Sequence, residues 1–280
     1  MAKIAVIGAG YVGLTTGACL AHLGHDVVVA DNNDDRVKSL KAGIIPFFEP
    51  GLDELVSDVV KSEKLSFALG ASKASENAEF HFLCLPTPAR TDGSSDLSYF
   101  EEGINEILSV LQPNSIVINK STVPLGTAKR LQEDMARTDV HIVSNPEFLS
   151  EGNAIRDFLE PSRIVIGANS REHSERVAKL YSKLDAPILM SSWESAELIK
   201  HTANAFLAMK LTFVNEIATL CEMTGADIKD VTDGIGYDPR IGSDYMNAGP
   251  GWGGSCFPKD SASLAQVARS FGFDFTLLEH

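Results

Sequence analysis

Lys3-Ile4-Ala5-Val6-Ile7-Gly8-Ala9-Gly10-Tyr11-Val12-Gly13 opens the chain with a strand, a glycine turn and a helix start. A short apolar run ends in glycine, as a buried parallel strand does before a tight turn. Tyr11 to Leu23 reads as a helix rich in small residues, and Gly24 stops it. Asp26-Val27-Val28-Val29-Ala30-Asp31 is a second strand, completing a βαβ unit. Gly-x-Gly-x-x-Gly alone is a weak sign. Here it leaves a strand, opens a helix and is followed by an acid at the end of the next strand, the context of a dinucleotide cradle. Gly8 permits the turn, Gly10 lets the backbone approach a pyrophosphate, and Gly13 allows close helix packing. The helix start at Tyr11 and Val12 turns N–H groups and a positive dipole end toward phosphates. Asp31 would accept hydrogen bonds from ribose hydroxyls and repel a 2′-phosphate, so the pattern prefers NAD to NADP. Arg36 weakens that preference. The alternative is three glycines that serve only packing.

Beyond this unit the alternation continues. Ala78 to Leu85, Ser115 to Asn119, His141 to Ser144 and Arg163 to Ile166 read as strands, with Ile188-Leu189-Met190 as an edge strand. Helical stretches run from Asn33 to Ala42, Leu52 to Ser62, Leu97 to Leu111, Thr127 to Ala136 and Glu172 to Leu184. The fold class is α/β: a doubly wound, Rossmann-type parallel sheet with helices on both faces. The character changes near Ser192. No proline or glycine interrupts the chain from there to Thr224. Ile199, Ala203, Phe206, Leu207, Leu211, Val214, Ile217, Ala218 and Cys221 recur at helical spacing, with Lys210 the one polar member of the stripe. This predicts one helix of about 30 residues, roughly 45 Å long. Two or three shorter helices follow, one of them from Lys259 to Phe271. The expected domains are a Rossmann-like domain over 1–191 and the long helix with a small helical domain over 192–278.

The bulk numbers are those of an ordinary globular chain that can bury a sizeable core. The chain has 280 residues, 44% hydrophobic and 22% charged, with a formal charge of -14. That charge disfavours nucleic acid and anionic membranes as partners. An anionic substrate would need a locally basic pocket. No signal peptide or membrane span is visible, and a cytoplasmic, reducing compartment is expected. Cys19, Cys84 and Cys221 lie in apolar surroundings and read as core residues. The last residues, Leu278-Glu279-His280, resemble the start of a tag, which places 279–280 outside the fold reasoning.

Cys256 is placed differently. It follows glycines in Gly249-Pro250-Gly251-Trp252-Gly253-Gly254-Ser255-Cys256-Phe257-Pro258-Lys259-Asp260, just before a helix start marked by Pro258. A thiol near a helix N-terminus gains thiolate character. A thiolate can hold an aldehyde as a thiohemiacetal, which loses hydride to become a thioester. Lys200 and Asn204 share one face of the long helix. Lys200 either snorkels to solvent or, partly buried, binds an oxyanion or exchanges a proton. Asp260 is either a first-turn carboxylate or an orienting group near the thiol. Three loops follow strand ends, where open α/β sheets bind ligands: Leu85-Pro86-Thr87-Pro88, Ser121 to Thr127, and Asn145-Pro146-Glu147-Phe148-Leu149-Ser150-Glu151-Gly152. Their hydroxyls either cap helices or meet a ligand. Glu147 is a candidate base or water-positioning group.

These pieces in this order resemble the UDP-glucose/GDP-mannose dehydrogenase family. The resemblance rests on Gly8 to Leu14, Glu49-Pro50-Gly51-Leu52, Pro86-Thr87-Pro88, Ser121-Thr122-Val123-Pro124, Asn145 to Leu149, Lys200-His201-Thr202-Ala203-Asn204-Ala205-Phe206 and Gly253 to Asp260. It runs from Lys3 to about Phe275. Gly249 to Gly253 after Asp238-Pro239-Arg240-Ile241-Gly242 looks more like the UDP-glucose branch than the GDP-mannose branch. The resemblance implies a four-electron oxidation of a sugar C6 alcohol to a carboxylate with two NAD. It implies Cys256 as nucleophile, Lys200 and Asn204 at the oxyanion, Asp260 in the proton network, and Thr122 and Glu147 at the hydrolytic water. It also places Thr87, Thr122 and Glu151 on the nicotinamide side, and Asp31 and Arg36 on the adenosine side. Phe148, Leu149, Arg240 and Gly253 fall at the sugar nucleotide, and the long helix at a homodimer seam with Arg240 reaching across. Family members carry a further C-terminal domain that grips the nucleotide. Without it, the expectation is a chain that binds NAD and turns over weakly. The competing readings are a GDP-mannose or UDP-N-acetyl-sugar dehydrogenase, a two-electron hydroxyacid dehydrogenase that needs no thiol, and a non-catalytic NAD-binding or dimerisation module.

Overall fold

The computed structural model describes residues 1–91, 94–254 and 256–279. Ser255 of the cysteine loop and His280 of the tag-like end lie outside the described residues. In chain order the elements are β1 (Lys3–Ile7), α1 (Tyr11–His22), β2 (Asp26–Asp31), α2 (Asp34–Lys41), α3 (Leu52–Lys61), β3 (Leu65–Leu69), α4 (Ala71–Ser75) and β4 (Phe80–Leu83). Then come α5 (Ser98–Ile107), β5 (Ile116–Asn119), α6 (Thr127–Asp134), β6 (His141–Ser144), α7 (Ala154–Leu159), β7 (Ile164–Ala168), α8 (Arg171–Ala178) and β8 (Ile188–Ser191). The remainder is helical: α9 (Trp193–Thr224), α10 (Ile228–Gly236), α11 (Phe257–Ser270) and α12 (Thr276–Glu279).

The strands form one sheet in the order β3-β2-β1-β4-β5-β6-β7-β8. The chain winds outward in both directions from β1, so the strand order reverses between β1 and β4, where such sheets bind ligands. Side chains alternate between two faces. Ile116 and Ile118 join the core cluster that holds Leu14 and Leu20 of α1, whereas Val117 joins the cluster of Phe100, Ile104 and Trp193. Each face is therefore covered by helices, which is why the strands read as continuous apolar runs.

Three features differ from the sequence reading. β7 runs antiparallel to β6, pairing only Val143 with Ala168 and Ser144 with Gly167, so the sheet is mixed. The link between them holds only the six-residue α7. It makes no crossover, and the chain re-enters from the end it left. The edge strand β3 is additional. Its run Leu65-Ser66-Phe67-Ala68-Leu69 buries only part of its side chains and leaves Leu69 46% exposed. It carries too weak a pattern to stand out. The expected helix over Glu172 to Leu184 is shorter, ending in a 3₁₀ turn at Lys179–Tyr181.

The chain divides into two compact units, Met1–Pro88 with Asp96–Lys200, and Ala89–Ser95 with His201–His280. α9 starts in the first and continues in the second. Its buried positions include Trp193, Ala196, Ala205, Ala208, Val214 and Cys221, together with the polar Glu197, Lys200, His201 and Asn204. Phe206, expected in the buried stripe, is 56% exposed. Lys210 is accommodated by donating to the Ile241 carbonyl at 3.2 Å. Among the described residues no helix is long and apolar enough to cross a membrane.

Candidate active site

The glycine loop is built by sterics. Gly8 holds φ +99°, and a Cβ there would lie 2.4 Å from the Cys84 carbonyl oxygen. A Cβ on Gly13 would lie 1.8 Å from the Gly8 carbonyl oxygen, so the helix can approach the strand only without one. At Gly10 a Cβ would meet no atom within 4 Å. No packing demand keeps Gly10 bare, and the α1 N-terminus has no side-chain cap. Bare backbone and uncapped N–H groups suit a pyrophosphate.

Asp31 ends β2 with its carboxylate fixed. Oδ2 accepts from the Ala9 N–H at 2.9 Å and from Arg36 at 3.0 Å, and Oδ1 accepts from the Asn33 N–H at 2.9 Å. Arg36 therefore neutralises Asp31 instead of standing apart as a 2′-phosphate ligand. The Tyr11 hydroxyl donates to Glu49, and burial, with that carboxylate, pushes its pKa up. Glu49 also accepts the N–H groups of Gly152 and Ala154, both at 2.8 Å. It ties the start of α1 to the loop that carries Glu151, which is itself exposed. The sequence showed Glu49 only as part of a motif.

The loops after β4 and β5 are joined. Thr87 Oγ1 donates to the Thr122 carbonyl at 2.8 Å, and Ser121 Oγ donates to the Leu85 carbonyl at 2.7 Å. After β6, Glu147 is buried and forms an ion pair of 2.9 Å with the buried Lys200. Glu147 Oε2 also accepts from the Leu149 N–H at 2.6 Å. The Phe148 ring lies under the Arg163 guanidinium at 3.7 Å and 5.4 Å from Lys200 Nζ. Of the two readings of Lys200, snorkelling is excluded: its side chain is 4% exposed. A second buried lysine, Lys120, was not anticipated. It donates to Asn145 Oδ1 at 3.2 Å, and burial pulls its pKa down to about 8. Asn145 in turn donates to the Val165 carbonyl at 2.8 Å and accepts from the Tyr181 hydroxyl at 2.5 Å. This clamps the strand ends that lead to Thr122 and Glu147.

In the second unit, Cys256 is the exposed N-cap of α11, with proline in the first turn. The N–H of Asp260, one turn on, bonds to the Cys256 carbonyl at 2.8 Å. Asp260 is fully buried, yet both carboxylate oxygens are used: Asn204 Nδ2 donates at 2.5 Å and Lys259 Nζ at 2.7 Å. Lys259 is thus part of this network, signalled only by its place beside Asp260. The other three cysteines are buried, and burial lifts Cys19 and Cys84 to about 12. Trp252 Nε1 donates to Thr212 at 2.8 Å and fixes the loop that leads to the exposed Gly253. Arg240 is exposed and held by Asp238 at 2.6 Å.

Residues 2–185 match the NAD binding domain of the UDP-glucose/GDP-mannose dehydrogenase family, and residues 194–280 match its central domain. The chain belongs to this family. UDP-glucose 6-dehydrogenase TuaD of Bacillus subtilis is 43% identical over all of this chain and 62% of its own length. The UDP-glucose 6-dehydrogenase of Rhizobium meliloti is 46% identical, over 99% of this chain and 66% of its own length. A solved UDP-glucose dehydrogenase from Pyrobaculum islandicum superposes with a TM-score of 0.94 at 38% identity, covering 100% of this chain and 66% of that one. The chain thus spans a little under two thirds of these relatives. As a member of the family it carries the NAD binding domain, and the glycine loop with its uncapped helix start is where the cofactor fits.

Proposed function

We propose that this chain carries the NAD-binding and catalytic residues of a UDP-glucose 6-dehydrogenase, which oxidises the C6 alcohol to a carboxylate in two steps. The observation that carries this reading is the buried Asn204–Asp260–Lys259 network one helical turn from the exposed Cys256. An exposed thiol at a helix start, beside a buried carboxylate bonded on both oxygens, is placed to react as a thiolate. Bound NAD would supply the hydride acceptor. Gly8, Gly10, Tyr11, Val12 and Gly13 would hold its phosphates, Asp31 its ribose, and Thr87, Thr122 and Glu151 its nicotinamide side.

Cys256 attacks the C6 aldehyde, and its sulfur–carbon bond holds the thiohemiacetal. Loss of a second hydride leaves a thioester. Lys200 and Asn204 stabilise the developing oxyanion by charge and hydrogen bonding. Thr122, Glu147 and Asp260 position the water that cleaves the thioester and take its proton. Phe148, Leu149, Arg240 and Gly253 contact the sugar nucleotide. GDP-mannose is the second candidate substrate, and a panel of nucleotide sugars separates the two. Cys256→Ser must abolish NADH production in an extended chain that has the family's full length. Retained turnover would favour a thiol-free two-electron oxidation.

The division into an NAD domain over 1–191 and a helical domain over 192–278 belongs to the same proposal. So does a homodimer through α9, where Phe206, Phe213 and Leu220 recur every seven residues and stand 51–56% exposed. Sedimentation should give twice the monomer mass, and Phe213→Glu should restore the monomer. A cytoplasmic location fits the four reduced cysteines.

A further inference from the structure

Beside Lys200 the first unit encloses a small polar space, about the size of one water molecule. Asn119, Thr122, Ser144, Glu197 and Lys200 line it. Asn119 and Ser144 are register partners at the ends of β5 and β6. They are 3% and 1% exposed, and Asn119 Oδ1 and Ser144 Oγ have no hydrogen-bond partner among the described residues. Buried polar atoms of this kind are satisfied by ordered water when the site is polar and roomy enough.

Glu197 closes another wall. It lies three residues before Lys200 on α9, on the same face. Its two oxygens accept the N–H groups of Gly126 at 2.6 Å and Ala128 at 2.9 Å, at the start of α6. Burial pushes its carboxyl up to about 7, while those N–H bonds pull it down and Glu194 on the same helix pushes it up. Lys200, paired with Glu147, is the charged group that shares the space. A carboxyl that changes charge near neutrality, in the cavity of a buried ammonium, is equipped to take a proton and give it back.

We propose that this space holds an ordered water joining Lys200 to Glu197, and that Glu197 is the proton store of the site. The proposal rests on Lys200 acting at the reacting centre. The Lys200 ammonium gives one proton to the water as the water gives one to the Glu197 carboxylate. Two charged groups become a neutral amine and a neutral acid, with no electron moved. The amine lone pair can then take a proton from a substrate hydroxyl. Glu147 keeps a cation nearby in Lys120, with which it interacts electrostatically.

The test uses this chain with bound NAD and no sugar nucleotide, so it is independent of the oxidation reading. The side-chain carboxyls of glutamate are labelled with carbon-13, Glu197 is assigned by its absence in Glu197→Gln, and its pH titration is followed by NMR. The expected midpoint is near 7, rising by about half a unit or more in Lys200→Met as a neighbouring cation is lost. A midpoint in the ordinary carboxylate range, or one that Lys200→Met leaves in place, overturns the proposal. A high-resolution crystal structure of the unsubstituted chain gives a second check that needs no variant. A water within hydrogen-bond distance of Asn119 Oδ1 and Glu197 supports it, and a dry cavity refutes it. Absent turnover with UDP-glucose would instead count against the oxidation reading and leave this titration as it stands.

Discussion

Lys200→Met should destabilise the first unit far more than loss of a surface ion pair. Lys200 Nζ lies 2.9 Å from Glu147 Oε1, with side-chain exposures of 4% and 9%. At an effective dielectric of about 20, that separation gives an attraction of about 6 kcal/mol before desolvation is counted. Removing the ammonium leaves Glu147 buried with the Leu149 N–H as its one donor among the described residues. One-sided loss of a buried pair costs about 3–5 kcal/mol, whereas replacing both partners costs much less. Glu147→Gln with Lys200→Met should therefore recover part of the loss, with a coupling of about 2 kcal/mol or more in a double-mutant cycle. Urea unfolding read by Trp193 fluorescence measures it. Trp193 is buried and donates to the Ile142 carbonyl at 2.9 Å, and Trp252→Phe removes the other indole from the signal. Single losses under about 1 kcal/mol with no coupling would put the pair among surface bridges and rule out a buried, mutually dependent pair.

Other outcomes follow from the same geometry. Gly13→Ala should abolish NAD binding in calorimetry, since its Cβ would sit 1.8 Å from the Gly8 carbonyl oxygen and push the loop open. Iodoacetamide should label Cys256 first, with Cys19 and Cys84 protected until unfolding, as mass spectrometry of timed digests can show. His81 is buried, and burial pulls its pKa from 6.5 to about 4 against the opposing effect of a backbone hydrogen bond at Ala78. A depressed histidine binds its proton more readily when unfolded, so its contribution is present above pH 6.5 and lost as pH falls toward 4. The loss is on the order of 3 kcal/mol. His81→Leu should flatten that limb of the stability curve, and an unchanged limb would discount the effect.

What the sequence made legible is local. The glycine loop, Asp31 and the Cys256 helix start are each fixed by residues a few places apart, through φ angles, close packing and helix capping. The pairings are not local. Glu147 meets Lys200 within the first unit, and Asn204 meets Asp260 within the second, each across more than fifty residues of chain. Spacing along the chain gave Lys200 and Asp260 two readings each, and burial decides between them for Lys200. Lys120 and Glu197 carry no signature of their own, and Glu49 showed only as part of a motif. A buried charge looks like any other acid or lysine until the backbone N–H groups or the carbonyl that satisfy it are seen. The antiparallel β7 was hidden for a different reason: strand patterns report burial, not direction.

The glycine loop with Asp31 should take NAD and refuse NADP. Calorimetric titration of this chain with each dinucleotide tests it directly. Saturable binding of NAD and none of NADP is expected, because Asp31 ends β2 as a fixed carboxylate facing the glycine loop. Equal binding of both, or binding of neither by a folded sample, would contradict it.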